Sequence, residues 1–302
     1  MTHTYKNVLT LLMFSAACCI GAEAQKIILG TYNFKKDGGV YTGELVKRKP
    51  HGKGKTTYAN GDAYEGEYHK GKRQGQGTFI FANGERYEGQ WLQDEQHGRG
   101  TYYFLDNNKY VGLWYRDAKH GKGVMYYYNG DVYDGNWEDD ERCGHGRYVF
   151  ANGVVYEGGW KNDKKHGVGI YDWQDGSSYE GEWKDNVRSG KGTYIYADGG
   201  KYEGTWEDDL MHGKGRFTSA EGDVYEGDYV NGERSGVGVT QFASGDKYVG
   251  NYLEGEQHGQ GTYTWHEVAT YTGEWKHNER NGQGTYRWNN GDEYVGTWEN
   301  NF

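Results

Sequence analysis

Residues 87–100 read Tyr87-Glu88-Gly89-Gln90-Trp91-Leu92-Gln93-Asp94-Glu95-Gln96-His97-Gly98-Arg99-Gly100. Tyr87, Gly89 and Trp91 alternate with polar residues, which is the period-two pattern of a strand with one aromatic face. The same pattern returns every 23 residues in both directions. Tyr stands at 41, 64, 87, 110, 133, 156, 179, 202, 225, 248, 271 and 294, with no insertion. Gly follows each of these tyrosines by two residues, from Gly43 to Gly296, and two further glycines follow by eleven and thirteen. The residue four after the Tyr is Trp or Tyr in every copy but the first, which has Leu45. Self-similarity of this kind marks a repeat architecture and precedes any other reading.

Each copy reads as a β-hairpin. In the first strand the aromatic residues and the glycine face one way, while acids such as Glu180 and Glu182 face the other. In the second strand Gly192, Tyr194 and Tyr196 again share a face. A strand glycine on an aromatic face is expected to leave room for a neighbouring ring, which offsets its entropic cost. Asn-Gly or Asp-Gly at 60–61, 83–84, 129–130, 152–153, 175–176, 198–199 and 290–291 signals two-residue type I′ turns between copies. Glu267-Val268 breaks this pattern, because a β-branched residue resists positive φ, and predicts a wider loop or a distortion over 266–269. Together these features predict an all-β chain. It is an elongated, twisted, single-layer antiparallel β-meander of about twelve 23-residue hairpin repeats, with no separate globular domain.

Composition agrees. The chain has 52 Gly, 30 Tyr and 11 Trp but one Pro, so an ordinary aliphatic core cannot form. Disorder is equally excluded, since disordered chains are poor in aromatics and this one is 17% aromatic. Residues 1–24 differ: Lys6 precedes an apolar run over 8–20, and Ala22-Glu23-Ala24 supplies a small-residue cleavage site before Gln25. This is the layout of a signal peptide. The alternative is a retained N-terminal anchor, but the run makes a helix of only ~20 Å, short of a bilayer span. Cleavage removes Lys6 and Glu23 and leaves a net charge of -10 with one cysteine, Cys143. No intrachain disulfide is then available. The acidic balance excludes nucleic acid as an expected partner and disfavours anionic membranes.

Tyr87-Glu88-Gly89-Gln90-Trp91 with His97-Gly98-Arg99-Gly100 resembles the MORN (membrane occupation and recognition nexus) repeat, as does the stretch from Tyr202 to Gly215. The resemblance runs from about Tyr41 to Trp298, with a partial copy or cap over 25–40 and the tandem array over 41–302. Leu45, Asn107 and Val268 depart from the pattern. The resemblance implies an elongated, twisted sheet with a lengthwise groove. It also implies scaffolding, self-association and, in some members, a link to membrane lipids.

Candidate chemistry is thin. His51, His97, His120, His166, His212 and His258 share the slot ten residues after the Tyr. Copies are ~10 Å apart along the sheet, whereas each ligand of one zinc must lie ~2 Å from it. The slot also accepts Gln74, Cys143, Ser189, Ser235 and Asn281, so a structural role is favoured and no metal or cofactor is expected. The acids at 138–141 read as a solvated loop, not as a catalytic pair, which would need an apolar pocket. The Gly-x-Gly pairs lack the strand-turn-helix setting of a phosphate site.

What remains is binding. Tyr87, Trp91, Tyr110, Trp114, Tyr179, Trp183, Tyr194, Tyr196, Tyr202 and Trp206 are the candidate lining of an aromatic groove, to the extent that packing leaves them open. Tyr294, Trp298 and Phe302 mark a terminal edge strand suited to homodimerisation or strand addition. The reading is a non-enzymatic, exported scaffold for protein-protein interaction. The alternative is a module that recognises envelope glycan or membrane lipid through the groove.

Overall fold

A computed structural model describes residues 26–302, so the expected signal peptide over 1–24 lies outside the described residues. Twenty-four strands, from β1 (Ile28–Asn33) to β24 (Glu293–Trp298), form one sheet without helices among the described residues. Every strand pairs antiparallel with its neighbours in sequence. The partial N-terminal copy follows suit, with β1 lying on β2 (Val40–Val46) through Gly30 opposite Gly43.

The repeated glycines are brought opposite one another at every strand junction, as in Gly77–Gly89, Gly89–Gly100 and Gly100–Gly112. The result is a glycine ladder running the length of the sheet, from Gly30 to Gly296. Each key tyrosine folds back over this ladder. Tyr87 donates its hydroxyl to the Gln90 carbonyl at 2.9 Å, and a Cβ at Gly100 would overlap its ring. The glycines are therefore required by the tyrosine of their own copy, and the room they leave is already filled.

The turns are distributed differently from the sequence expectation. At Asn-Gly the loop has three residues: Gly61 N–H donates to the Tyr58 carbonyl, Tyr58 N–H donates to the Asp62 carbonyl, and only Gly61 has positive φ. This is a type I turn closed by a glycine bulge rather than a two-residue I′ turn. The I′ turns lie at the other end of each hairpin, where two consecutive residues have positive φ. Examples are Gln93-Asp94, Asp139-Asp140 and Asp208-Asp209. Asn107 takes the left-handed position of the missing glycine with φ 66°. At the Val268 copy the loop is not widened, since Trp265 still faces Ala269. The left-handed conformation instead moves back one residue to Glu267 (φ 54°), sparing the β-branched valine.

The second turn residue also clasps the preceding copy. Asp94 N–H donates to the Arg73 carbonyl at 3.1 Å, while the Arg73 N–H donates to the Asp94 carboxylate at 2.8 Å. Asp117, Asp140, Asp163, Asn186, Asp209, Asn278 and Asn301 accept the equivalent backbone bond. At the opposite end, Asp62, Asp131, Asp223 and Asp246 accept a backbone N–H from the next copy's loop. Adjacent hairpins are thus fastened at both tips beyond the strand ladder itself.

Candidate functional site

The two faces of the sheet have separate fates. On the aromatic face the key tyrosines sit edge-on between the rings four residues after the Tyr of their own and the next copy, two tryptophans at Tyr87, Tyr110, Tyr133, Tyr156, Tyr179 and Tyr271. Tyr87 meets its own Trp91 at 5.2 Å and 88° and Trp114 of the next copy at 5.3 Å and 84°, a favoured T-shaped geometry. The indole N–H of Trp91 donates to the Gly77 carbonyl at 3.1 Å. Burial pushes the phenols upward, Tyr41 and Tyr202 to about 12. Of the sequence-derived groove candidates, Tyr87, Trp91, Tyr110, Trp114, Tyr179, Trp183, Tyr202 and Trp206 are buried in this core. Tyr194 and Tyr196 are half-buried and pack against it. The structure brings all ten together as one continuous stack and leaves mainly the last two accessible from outside.

A cationic column covers the stack. The residue nine after the key tyrosine lies over the next copy's indole, as Arg73 over Trp91 (4.3 Å), Arg142 over Trp160 (4.4 Å) and Arg188 over Trp206 (4.3 Å). Lys165 fills the slot over Trp183 at 4.0 Å, and burial pushes its ammonium down to about 8. Arg142 and Arg188 pair with Asp163 and Asp209 at 2.8 and 3.0 Å. Sequence reading missed this column, because Pro50, Gln96, Met211 and Gln257 occupy the same slot and hide its sign. The aromatic face opens where Tyr replaces Trp: cavities of 690 and 350 Å³ lie beside Tyr68 and Tyr229.

The opposite face carries the main groove. Residues flanking the glycine ladder project outward in two rows, and between them the backbone forms a trough along the sheet. Its largest section, 880 Å³, crosses β5 (Lys72–Ile80) to β10 (Val132–Glu138), and a 500 Å³ section precedes it at 42–76. The floor is glycine backbone, including Gly89, Gly100 and Gly112, and the walls include Glu88, Arg99, Val111, Leu113 and Lys122.

The remaining candidates are dispersed. His97 and His120 both lie within 6 Å, ring to ring, of Tyr115. The His51 and His69 rings lie 4.8 Å apart, tilted by 51°. No three His, Cys, Asp or Glu side chains converge as a metal site among the described residues. Burial and the Glu138 carboxylate raise the Cys143 thiol, which weakens it as a nucleophile. Tyr294, Val295 and Phe302 are exposed on or beside β24, which among the described residues has β23 (Glu279–Trp288) as its one strand partner. Trp298 packs on Tyr271 at 5.3 Å and is half-buried.

The fold and its surfaces define a single-sheet β-repeat protein, with an aromatic core on one face and a trough on the other. The chain belongs to the MORN-repeat family. The MORN repeat matches eleven times, at 41–63, 64–86, 87–109, 110–132, 133–155, 156–178, 179–201, 202–224, 225–247, 248–266 and 271–293. The gap between the last two matches falls on the rerouted Glu267-Val268 turn. No curated protein matches the chain. Among solved structures, the TCP10 domain of CPAP from Danio rerio is 15% identical, with 65% of this chain and 92% of that one covered and a TM-score of 0.37. The SAS-4 TCP domain of Drosophila melanogaster, in complex with a proline-rich motif of Ana2, is 12% identical, with 59% and 85% covered and a TM-score of 0.31. Likeness at this level supports no statement about function.

Proposed function

We propose that this chain is a non-enzymatic, exported repeat scaffold that binds a protein partner along its outer face. The observation that carries the reading is the division of labour between faces. The aromatic rings and their cations are engaged in holding copies together, whereas the trough over the glycine ladder is open, and the Arg99, Val111, Leu113 and Lys122 side chains on its walls make no hydrogen bond or ion pair among the described residues. A shallow trough with polar walls suits an extended protein segment, which offers backbone groups and alternate side chains to both walls. Export rests on the leader, and the mature N-terminus is expected at Gln25 by mass spectrometry of the secreted protein; a chain retaining residues 1–24 overturns that part.

The binding reading is tested with the mature array against purified envelope glycan, lipid vesicles and envelope proteins. Saturable binding of a purified protein, without saturable binding of glycan or lipid, is the expected result. The second reading, glycan or lipid recognition on the aromatic face, is favoured by the openings beside Tyr68 and Tyr229 and by the half-buried Tyr194 and Tyr196. Saturable binding of pure glycan or lipid, lost on Tyr196→Ala, would replace the first reading with the second.

A further inference from the structure

The outer face is not uniform. At three junctions between copies its cations lie beside carboxylates: Lys55–Glu65 at 3.8 Å, Arg147–Glu157 at 3.6 Å, and Lys214–Asp228 at 2.8 Å with Arg216–Glu226 at 2.9 Å. In the copies beginning at Tyr87 and Tyr110 this pairing is replaced. Arg99 stands opposite Leu113, Lys122 opposite Asn136, and Thr101 opposite Val111, which in turn faces Val124. Among the described residues, Arg99, Lys109 and Lys122 have no carboxylate within ion-pair distance, whereas Arg86 retains Glu88 at 3.3 Å.

Apolar groups gather at the same place. Leu92, Val111, Leu113, Tyr115 and Tyr126 are all exposed, and Leu105 and Tyr128 extend the patch into the adjoining loops. Arg86 lies over Tyr103 at 4.2 Å and Lys109 over Tyr126 at 4.5 Å, so two of the cations are held beside aromatic rings. The widest section of the trough, 880 Å³, coincides with this patch. An exposed cluster of aromatic and aliphatic residues with arginine at its polar rim is the composition of an interface rather than of idle surface. The chain as a whole carries -10, so this local excess of unmatched cations runs against its average.

We infer that the outer face of β6 (Arg86–Leu92) to β9 (Ala118–Tyr126) is the docking site for an extended protein segment that is acidic and carries aliphatic or aromatic anchors. This rests on the protein-binding reading above and adds where the partner sits and what it must contain. Charge complementarity selects the partner: its carboxylates take the place of the missing Glu and Asp beside Arg99 and Lys122, and its apolar side chains cover Val111 and Leu113. The trough section that holds it crosses six strands, β5 to β10, and at ~4.8 Å spacing is ~24 Å long, which an extended chain spans with about seven residues.

The test uses the full mature chain and a fluorescein-labelled nine-residue peptide alternating Glu with Leu or Phe, read by anisotropy. Its comparison probes are a peptide with Lys for Glu, one with Ser for the apolar residues, and vesicles containing phosphatidylserine. Saturable binding of the acidic-apolar peptide alone is expected. Arg99→Glu with Lys122→Glu should weaken it at least about tenfold, and Val111→Ser with Leu113→Ser should weaken it similarly. Lys191→Glu, a charge reversal on the same face but outside the patch, should leave it within about twofold. All variants are compared by thermal melting, so loss of fold is separated from loss of binding. Equal sensitivity to Lys191→Glu would overturn the location while leaving the scaffold reading standing. Absence of saturable peptide binding, equal binding of the basic peptide, or binding to vesicles alone overturns the inference itself.

Discussion

At the scale of single residues, the unit of this fold is a tyrosine laid across two glycines. Tyr87 cannot lie where it does unless Gly89 and Gly100 lack side chains, and its hydroxyl is satisfied by the Gln90 carbonyl of its own strand. Gly100→Ala should therefore expel the ring and cost about 3 kcal/mol as an overpacked core site. Tyr87→Phe keeps the ring and loses only the hydrogen bond, for about 1 kcal/mol. Urea unfolding of the two variants should separate them clearly, and equal small losses would show that the ring is not pinned. The pattern behind this was legible in the sequence, because alternation of Tyr, Gly and Trp assigns all three to one face. The identity of the ring that fills each glycine gap was not, because a repeat offers its own ring and its neighbour's at equal distance in sequence logic.

At the scale of the hairpin, the clasp between copies explains the acidic turns. Asp209 has φ 67°, accepts the Arg188 backbone N–H at 2.8 Å and pairs with the Arg188 guanidinium stacked on Trp206. A residue here must tolerate the left-handed region, which is why Asp, Asn or Gly fills the slot in every copy but the first, and Asp and Asn add the short acceptor that closes the clasp. Asp209→Asn is expected to stay within about 0.5 kcal/mol of the parent. Asp209→Gly keeps the turn and loses the acceptor, for about 1.5 kcal/mol, and Asp209→Ala adds left-handed strain, for about 2.5 kcal/mol. The order Asn, Gly, Ala in melting temperature is the measurement; Gly at or above Asn would contradict the clasp, and Ala above Gly would contradict the left-handed strain. Turn chemistry was the part of the fold least readable beforehand. Asn-Gly attracts the eye but builds the looser bulged loop, whereas pairs such as Asp208-Asp209 make the tight I′ turns. Only the register between copies shows what their side chains hold.

At the scale of the whole molecule, stability is a property of the continuous tyrosine stack. Folded-state pKa values above the ordinary phenol value mean that the folded chain holds protons the unfolded chain releases. The tyrosine contribution is therefore complete below pH 10 and is lost as pH rises from 10 toward about 12, the range reached by Tyr41 and Tyr202. Phenolate absorbance and loss of circular dichroism should rise together in one alkaline transition, and ionisation well before unfolding would contradict burial of the rings. The exposed residues at β24 give a separate expectation. Self-association through this edge predicts a chain truncated at Asn290 to sediment as a weaker dimer, and unchanged association would remove Tyr294, Trp298 and Phe302 from any interface.

The sequence by itself determined the period, the strand alternation, the all-β single sheet and the membership of the repeat family, because these depend on local spacing that every copy repeats. The tertiary structure decided which face is spent and which is free. Packing between copies closes the aromatic face with rings and cations from residues 23 positions apart, so its candidate groove residues become core. It also sets Arg99 opposite Leu113 and Lys122 opposite Asn136 across neighbouring strands, a charge mismatch that exists only once the register is known.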